Sequence, residues 1–202
     1  MHDPDHSAAA APAALAQLEA HWRALRGPRA MPARGELVAA RIEAALPVLF
    51  IAEPVAPGVL RLRHAGRKLG EMLRIEPRGM PLCAFFTPEG RAALRALLAA
   101  AQERPAILGA GLVAGRGIVA PRVSARLLLL PLADRGLRPG MFVGAIAATA
   151  PAPGRALRFD LDGSPVRVEA LRPEAQVPRL VASGGRRRAG PRPALRLVVA
   201  GG

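Results

Sequence analysis

Residues 79–91 read Gly-Met-Pro-Leu-Cys-Ala-Phe-Phe-Thr-Pro-Glu-Gly-Arg and contain the start signals of a helix. Thr87 is a good N-cap residue, Pro88 suits the first helical position, and Glu89 lies where the helix dipole favours negative charge. The apolar residues that follow recur at helical spacing; they are Leu94, Leu97, Leu98 and Ala101. We therefore predict a helix over residues 88–104 with one buried face.

Strand patterns lie on both sides of this helix. Before it, residues 48–52 and 59–65 predict a hairpin around the turn signal Ala56-Pro57-Gly58. After it, residues 106–114, 122–132 and 141–148 have β character. The four consecutive leucines at 127–130 lack alternation, which predicts a strand that is covered on both faces or lies near the middle of the sheet.

The N-terminal region predicts a further helix from Pro12. Its apolar stripe must be buried against the chain's own sheet or against a second subunit; the stripe consists of Leu15, Leu18, Trp22 and Leu25. We name these residues as candidates for self-association. A second helix is predicted over residues 36–46, ended by Pro47.

Composition divides the 202 residues into three parts. Residues 1–11 are predicted to be a disordered N-terminus, residues 12–150 one domain, and residues 151–202 a basic, partly disordered extension rich in Pro and Gly. Within the extension a hairpin is predicted around Asp162-Gly163. No apolar run is long enough to span a bilayer, and the N-terminus lacks the positive start of a secretory signal, so we expect a cytoplasmic protein.

Charge and chemistry exclude several classes of protein. The net charge of +14 would attract polyanions, but only 3% of residues are aromatic, which argues against a surface that stacks single-stranded bases. The one cysteine cannot form an internal disulfide, and neither metal-ligand spacing nor a nucleophile paired with a base is visible. We predict no catalytic residue and no metal site.

The order of elements and several short motifs resemble a PAS domain, and in particular a stand-alone bacterial subfamily. The PAS motifs are Ala65-Gly66, Leu69-Gly70 with Leu73, Gly79-Met-Pro-Leu82, and Phe85-Phe86-Thr87-Pro88-Glu89 with Arg91. The resemblance to the subfamily rests on Trp22-Arg23 with Arg26-Gly27, Pro32-Ala33-Arg34 and Leu129-Leu-Pro-Leu132. The resemblance covers residues 20–150. It implies an α+β fold in which a five-stranded antiparallel sheet carries helices on one face, here with an N-terminal helix and a basic C-terminal extension.

Such a fold can enclose a small apolar ligand, and strand alternation predicts which residues would line the pocket. These are Leu60, Leu62, His64, Leu73, Leu82, Phe85, Leu128, Leu130, Val143 and Ala145. His64 could contact a cofactor or be a hydrogen-bonded structural histidine. Cys83 lacks the surrounding phrase of flavin-binding light sensors, so it is predicted to be a small buried hydrophobe. The sequence identifies no cofactor.

The resemblance implies a non-enzymatic sensory or regulatory module that binds a small ligand or a protein partner, self-associates as a homodimer and signals through a separate protein. Two alternatives stay open. One is a pure protein-interaction adaptor with a filled core. The other is a nucleic-acid-associated protein that uses its C-terminal arginines, namely Arg186, Arg187, Arg188, Arg192 and Arg196.

Overall fold

The computed structural model describes residues 4–115, 122–134, 139–150 and 155–173. Three α-helices lie in these ranges: α1 (Pro4–Arg26), α2 (Arg67–Leu73) and α3 (Pro88–Glu103). Seven strands form one sheet: β1 (Leu49–Ala56), β2 (Val59–Ala65), β3 (Ala106–Ala114), β4 (Val123–Ala133), β5 (Pro139–Ala148), β6 (Phe159–Leu161) and β7 (Arg167–Ala170).

Every pairing of the named strands is antiparallel, and the strand order is β2-β1-β5-β4-β3. Strands β6 and β7 lie one after the other along the outer edge of β3. The predicted hairpin is the β1–β2 pair, and Gly58 in its turn has a φ of 71°, which favours glycine. The antiparallel α+β architecture implied by the resemblance is confirmed, with two short strands added to the predicted five.

Helix α3 confirms the signals around Thr87. The N–H of Gly90 donates to the Thr87 hydroxyl oxygen over 3.1 Å, so the predicted N-cap is formed, and the helix ends at Glu103. Leu94, Leu98 and Ala101 are almost fully buried. This face packs on the sheet together with α2 and a 3-10 helix over Leu82–Phe85.

The opposite face of the sheet is also covered, in this case by α1 and the segment that follows it. Strand β4 lies between β5 and β3, and all four leucines at 127–130 are buried, as the missing alternation predicts. Two apolar clusters therefore sandwich the sheet. We call them the helix-side core, beneath α2 and α3, and the α1-side cluster, beneath α1.

Two helix predictions in the N-terminal region were wrong, one in its first residue and one in its helix type. Helix α1 begins at Pro4, eight residues before the predicted start, and so includes residues predicted to be a disordered terminus. The predicted helix over 36–46 is replaced by three 3-10 helices, Arg34–Glu36, Ala39–Arg41 and Glu43–Val48. Its buried residues Ile42, Ala45 and Val48 are three apart, the spacing of a 3-10 helix.

The predicted hairpin around Asp162-Gly163 was also wrong in its pairing. Strands β6 and β7 exist, but both pair antiparallel with β3, so the chain keeps its direction between them. The backbone N–H and the hydroxyl of Ser164 both bind a carboxylate oxygen of Asp162, which closes a small side loop without a reversal. The open edge of β3 takes up backbone hydrogen bonds that a hairpin would have used.

Candidate functional site

Five of the predicted pocket residues come together in the helix-side core. Leu60 and Leu62 reach it from β2, and Leu73, Leu82 and Phe85 reach it from the helical segments. None is more than 2% exposed. Their facing follows the alternation of β2 and the turn-rich helical region, as the sequence predicts.

The structure does not bring the other strand residues to this core. Leu128, Leu130, Val143 and Ala145 lie in the α1-side cluster, so the predicted facing of β4 and β5 was wrong. The residues that do face the helix-side core are one position away, for example Leu127, Leu129 and Phe142. Both faces of these strands are apolar because α1 covers the second face, and the pattern therefore contains no facing signal.

His64 is exposed, which corrects its predicted inward position. Ile51 pairs with His64 but Ala52 pairs with Leu62, so Arg63 is one extra residue in β2. This β-bulge breaks the two-residue alternation, and His64 leaves the face of Leu60 and Leu62. An exposed His64 is neither a pocket-lining ligand nor a buried structural histidine.

Large aromatic side chains fill the helix-side core. All five phenylalanines of the chain lie in it and are fully buried; they are Phe50, Phe85, Phe86, Phe142 and Phe159. A Cβ atom at Gly144 would lie 2.5 Å from Cζ of Phe50, so the ring occupies the space beside this glycine. The space beside Gly144 is therefore occupied by the protein's own side chain and not open to a ligand.

The α1 stripe is buried within the same chain. Leu15 is 9% exposed and both Leu18 and Trp22 are fully buried against β4 and β5, while Leu25 is half-buried. The Trp22 indole N–H donates to the carbonyl oxygen of Pro131 over 2.9 Å. The stripe therefore packs within its own chain, and the self-association predicted for these residues stays a prediction.

A network of four charged side chains ties α1 to β7. Arg23 donates to Glu19 and to Glu169, at 2.8 and 2.7 Å, and Arg167 donates to Glu19 over 2.8 and 2.9 Å and also contacts Glu169. The hydrogen bonds from Arg167 hold the pKa of Glu19 below its usual value, and those from Arg23 do the same for the pKa of Glu169. Strand β7 is thereby held to α1.

A second contact joins β6 to the start of α3. The backbone N–H of Thr87 donates to the Phe159 carbonyl oxygen over 3.0 Å, and the Thr87 hydroxyl donates to the Asp160 carboxylate. Asp160 is the one buried polar or charged side chain in the part of the chain that the structure describes. Residues 159–160 therefore join the helix cap to the edge of the sheet.

An open groove of about 440 Å³ lies beside the middle of α1. Its floor is the α1 side of β3 and β4, at Gly109, Gly111 and Leu128, and its far wall is the loop between β6 and β7. This groove is not among the sites predicted from the sequence. Glycine at every second position of a predicted strand is the pattern that would have indicated a bare strip on one face.

The remaining sequence predictions concern metal ligands, Cys83, the C-terminal arginines and membrane-spanning segments. No group of three or more metal-ligating side chains occurs within residues 12–115, 122–134, 139–150 and 155–173. Cys83 is half-buried and packs against the helix-side core. Arg186 and the other C-terminal arginines lie outside the described residues. Among the described helices, none is both long and apolar enough to cross a membrane.

Comparison with known proteins agrees with this architecture. The family model of the PAS domain matches residues 10–147. No curated protein matches the chain. A solved structure of an RNA-binding Light-Oxygen-Voltage receptor is 17% identical, with a TM-score of 0.38, and the match covers 57% of this chain and 34% of that one. Because one family model spans the helix-covered sheet from α1 to the end of β5, this chain belongs to the PAS domain family.

Proposed function

We propose that this chain is a non-enzymatic regulatory module that acts through protein–protein contacts with its helix-side core filled by its own side chains. PAS domains are generally sensory or regulatory modules. The choice here is between a sensor with an internal ligand and an adaptor without one. The filling of the helix-side core by all five phenylalanines is the observation that favours the adaptor.

The polarity of the core supports the same choice. Sites for small molecules place a few polar groups among apolar walls, because those groups orient the ligand. Asp160 is the one buried polar side chain of the described residues, and it is bound by Thr87 at the cap of α3. His64, the polar residue that the sequence placed inward, is exposed. A polar ligand in this core would therefore find few partners.

Native mass spectrometry of the purified chain tests whether the helix-side core holds a small molecule. Native mass spectrometry should give the mass of the chain or of its homodimer, without a stoichiometric added small molecule. A retained molecule that survives buffer exchange would contradict the proposal. The sharper variant is Gly144→Ala, which would disturb Phe50 in the core: if an internal ligand exists, its occupancy should change in this variant.

The proposed action through protein–protein contacts requires a separate measurement. A partner that co-purifies with the full chain should bind the reconstituted, ligand-free protein with a saturable affinity. Binding that appears only after a small molecule is added would overturn the adaptor in favour of a sensor. Binding that is unchanged by heat-unfolding the chain would show that no folded surface is recognised, and would also overturn it.

A further inference from the structure

The groove beside α1 owes its shape to two glycines of β3. Gly109 and Gly111 lie two residues apart, so they share one face of the strand and leave it without side chains. Pro12 and Leu15 of α1 form one wall, and Pro165 lies in the other. The groove therefore has a floor with few side chains and mixed walls, in which apolar residues of α1 and Pro165 lie beside Glu19, Asp162 and Arg167.

The two glycines differ in what lies above them. A Cβ atom at Gly111 would lie 2.1 Å from Oδ2 of Asp162, so the carboxylate of Asp162 occupies that position. A Cβ atom at Gly109 would meet Cβ of Arg167 at 3.5 Å, which is an ordinary contact. An added Cβ atom at Gly109 would therefore touch only the side chain of Arg167, at ordinary contact distances, and no backbone atom within 4 Å.

Both acidic residues of the groove already have donors. Glu19 accepts hydrogen bonds from Arg167 and Arg23. Asp162 accepts from the backbone N–H and the hydroxyl of Ser164, and these bonds are the main reason why the pKa of Asp162 is lowered. Glu19 and Asp162 therefore already have hydrogen-bond partners within the protein and do not need a cationic ligand.

Arg126 differs from these residues. It lies on the α1 side of β4, paired across the strands with Gly111 and with Ala147, and it is exposed. Within the described ranges its guanidinium makes no hydrogen bond or ion pair, although its charge contributes to the lowered pKa of Asp162. It is a cation at the edge of the groove, available to an anionic group.

We propose that this groove binds a small organic monocarboxylate, with the carboxylate on Arg126 and the apolar part against Leu15, Leu128 and Pro12. Guanidinium and carboxylate form paired hydrogen bonds of matching geometry. The volume of about 440 Å³ lies in the range of small-molecule sites. Asp162 repels any anion in the groove, but it repels a dianionic phosphate more strongly than a monocarboxylate, because the repulsion scales with the charge.

Titration of the full chain with octanoate at neutral pH tests the proposal, followed by calorimetry or amide chemical shifts. We expect saturable binding, and Arg126→Gln should weaken it by about tenfold or more, because a charge-assisted hydrogen bond contributes about 1.5–3 kcal/mol. Octanol and octyl phosphate should bind more weakly than octanoate. Arg95→Gln, an exposed arginine on α3, is the charge-matched control and should bind octanoate as the wild type does.

Gly109→Val provides the second variant, since it fills the groove at the one floor position with ordinary clearance. It should abolish octanoate binding while the unfolding midpoint stays at or above that of the wild type. The site would be overturned if the wild type showed no saturable binding of octanoate. It would also be overturned if Arg126→Gln and Gly109→Val bound octanoate as tightly as the wild type does. The result is independent of the filled core, because an internal ligand would be insensitive to both variants.

Discussion

Gly144 on β5 shows how a single missing side chain shapes the helix-side core. A Cβ atom there would approach Cζ of Phe50 to 2.5 Å and the carbonyl oxygen of Leu128 to 2.6 Å. The ring of Phe50 can therefore pack against the strand only because residue 144 is glycine. The two residues are also paired across β1 and β5. The missing side chain at residue 144 makes room for the protein's own aromatic ring.

Gly144→Ala should accordingly lower the free energy of unfolding by about 1–3 kcal/mol, the usual cost of overpacking. Urea unfolding monitored by circular dichroism measures this. Gly109→Ala is the matched control on β3, because its added Cβ has an ordinary contact at 3.5 Å, and it should leave stability unchanged or slightly raised. Equal effects of the two substitutions would show that Phe50 does not occupy the space beside Gly144.

At the scale of elements, α1 behaves as part of the domain. Its stripe covers the sheet face opposite to α2 and α3, and the Trp22 indole is hydrogen-bonded to Pro131 in the middle of that face. The helix is also linked to β7 by the network of Glu19, Arg23, Arg167 and Glu169. Packing and charge thus act on the same element.

Trp22→Phe should lower the free energy of unfolding by about 1–3 kcal/mol, because the buried Pro131 carbonyl loses its donor. The loss should be the same at every protein concentration, since the contact lies within one chain. Leu25→Ala, on the same stripe but half-buried, should cost less. A loss that grows on dilution, measured by unfolding at several concentrations, would instead indicate that Trp22 contributes to a dimer.

The charge network predicts a dependence on pH. The pKa of Glu19 is lowered by its hydrogen bonds with Arg167, and the pKa of Glu169 by those with Arg23, below the ordinary value of 4.5. A carboxylate with a lowered pKa in the folded state stabilises the fold above that ordinary value, and the contribution is lost as the pH falls through the folded-state pKa. Stability contributed by the network should therefore disappear below about pH 4.5.

Glu19→Gln tests this directly. Unfolding midpoints of the variant and the wild type should differ most at neutral pH and converge as the pH falls below 4.5. If the difference in unfolding midpoint stays constant down to strongly acidic pH, the ionised carboxylate of Glu19 is not the source of the stabilisation.

At the scale of the whole molecule, the domain continues past β5. Strands β6 and β7 cover the edge of β3, and Phe159, Leu157 and Leu171 are buried on either side of the sheet. The backbone N–H of Leu171 donates to the Pro105 carbonyl oxygen over 2.8 Å. Residues 155–173 are thus part of the folded domain, although composition assigns them to a separate extension.

Two truncated chains should therefore differ sharply. A chain ending at Ala150 should be less stable than one ending at Pro173 by about 3 kcal/mol or more, since each fully buried large side chain contributes about 1.5–3 kcal/mol. The shorter chain should also associate through the uncovered edge of β3. Urea unfolding and light scattering measure the two effects. Equal midpoints and equal masses would show that β6 and β7 add nothing to the domain.

The sequence by itself determined the local elements and their class. The cap of α3, the β1–β2 hairpin and the central position of β4 follow from Thr87, Gly58 and the four leucines, because these signals depend on neighbouring residues. The tertiary structure alone decided the facing of β4 and β5, the exposure of His64 and the place of residues 155–173. A strand covered on both faces has no polar side to mark its orientation, a bulge depends on its partner strand, and an edge is filled by whichever segment can reach it.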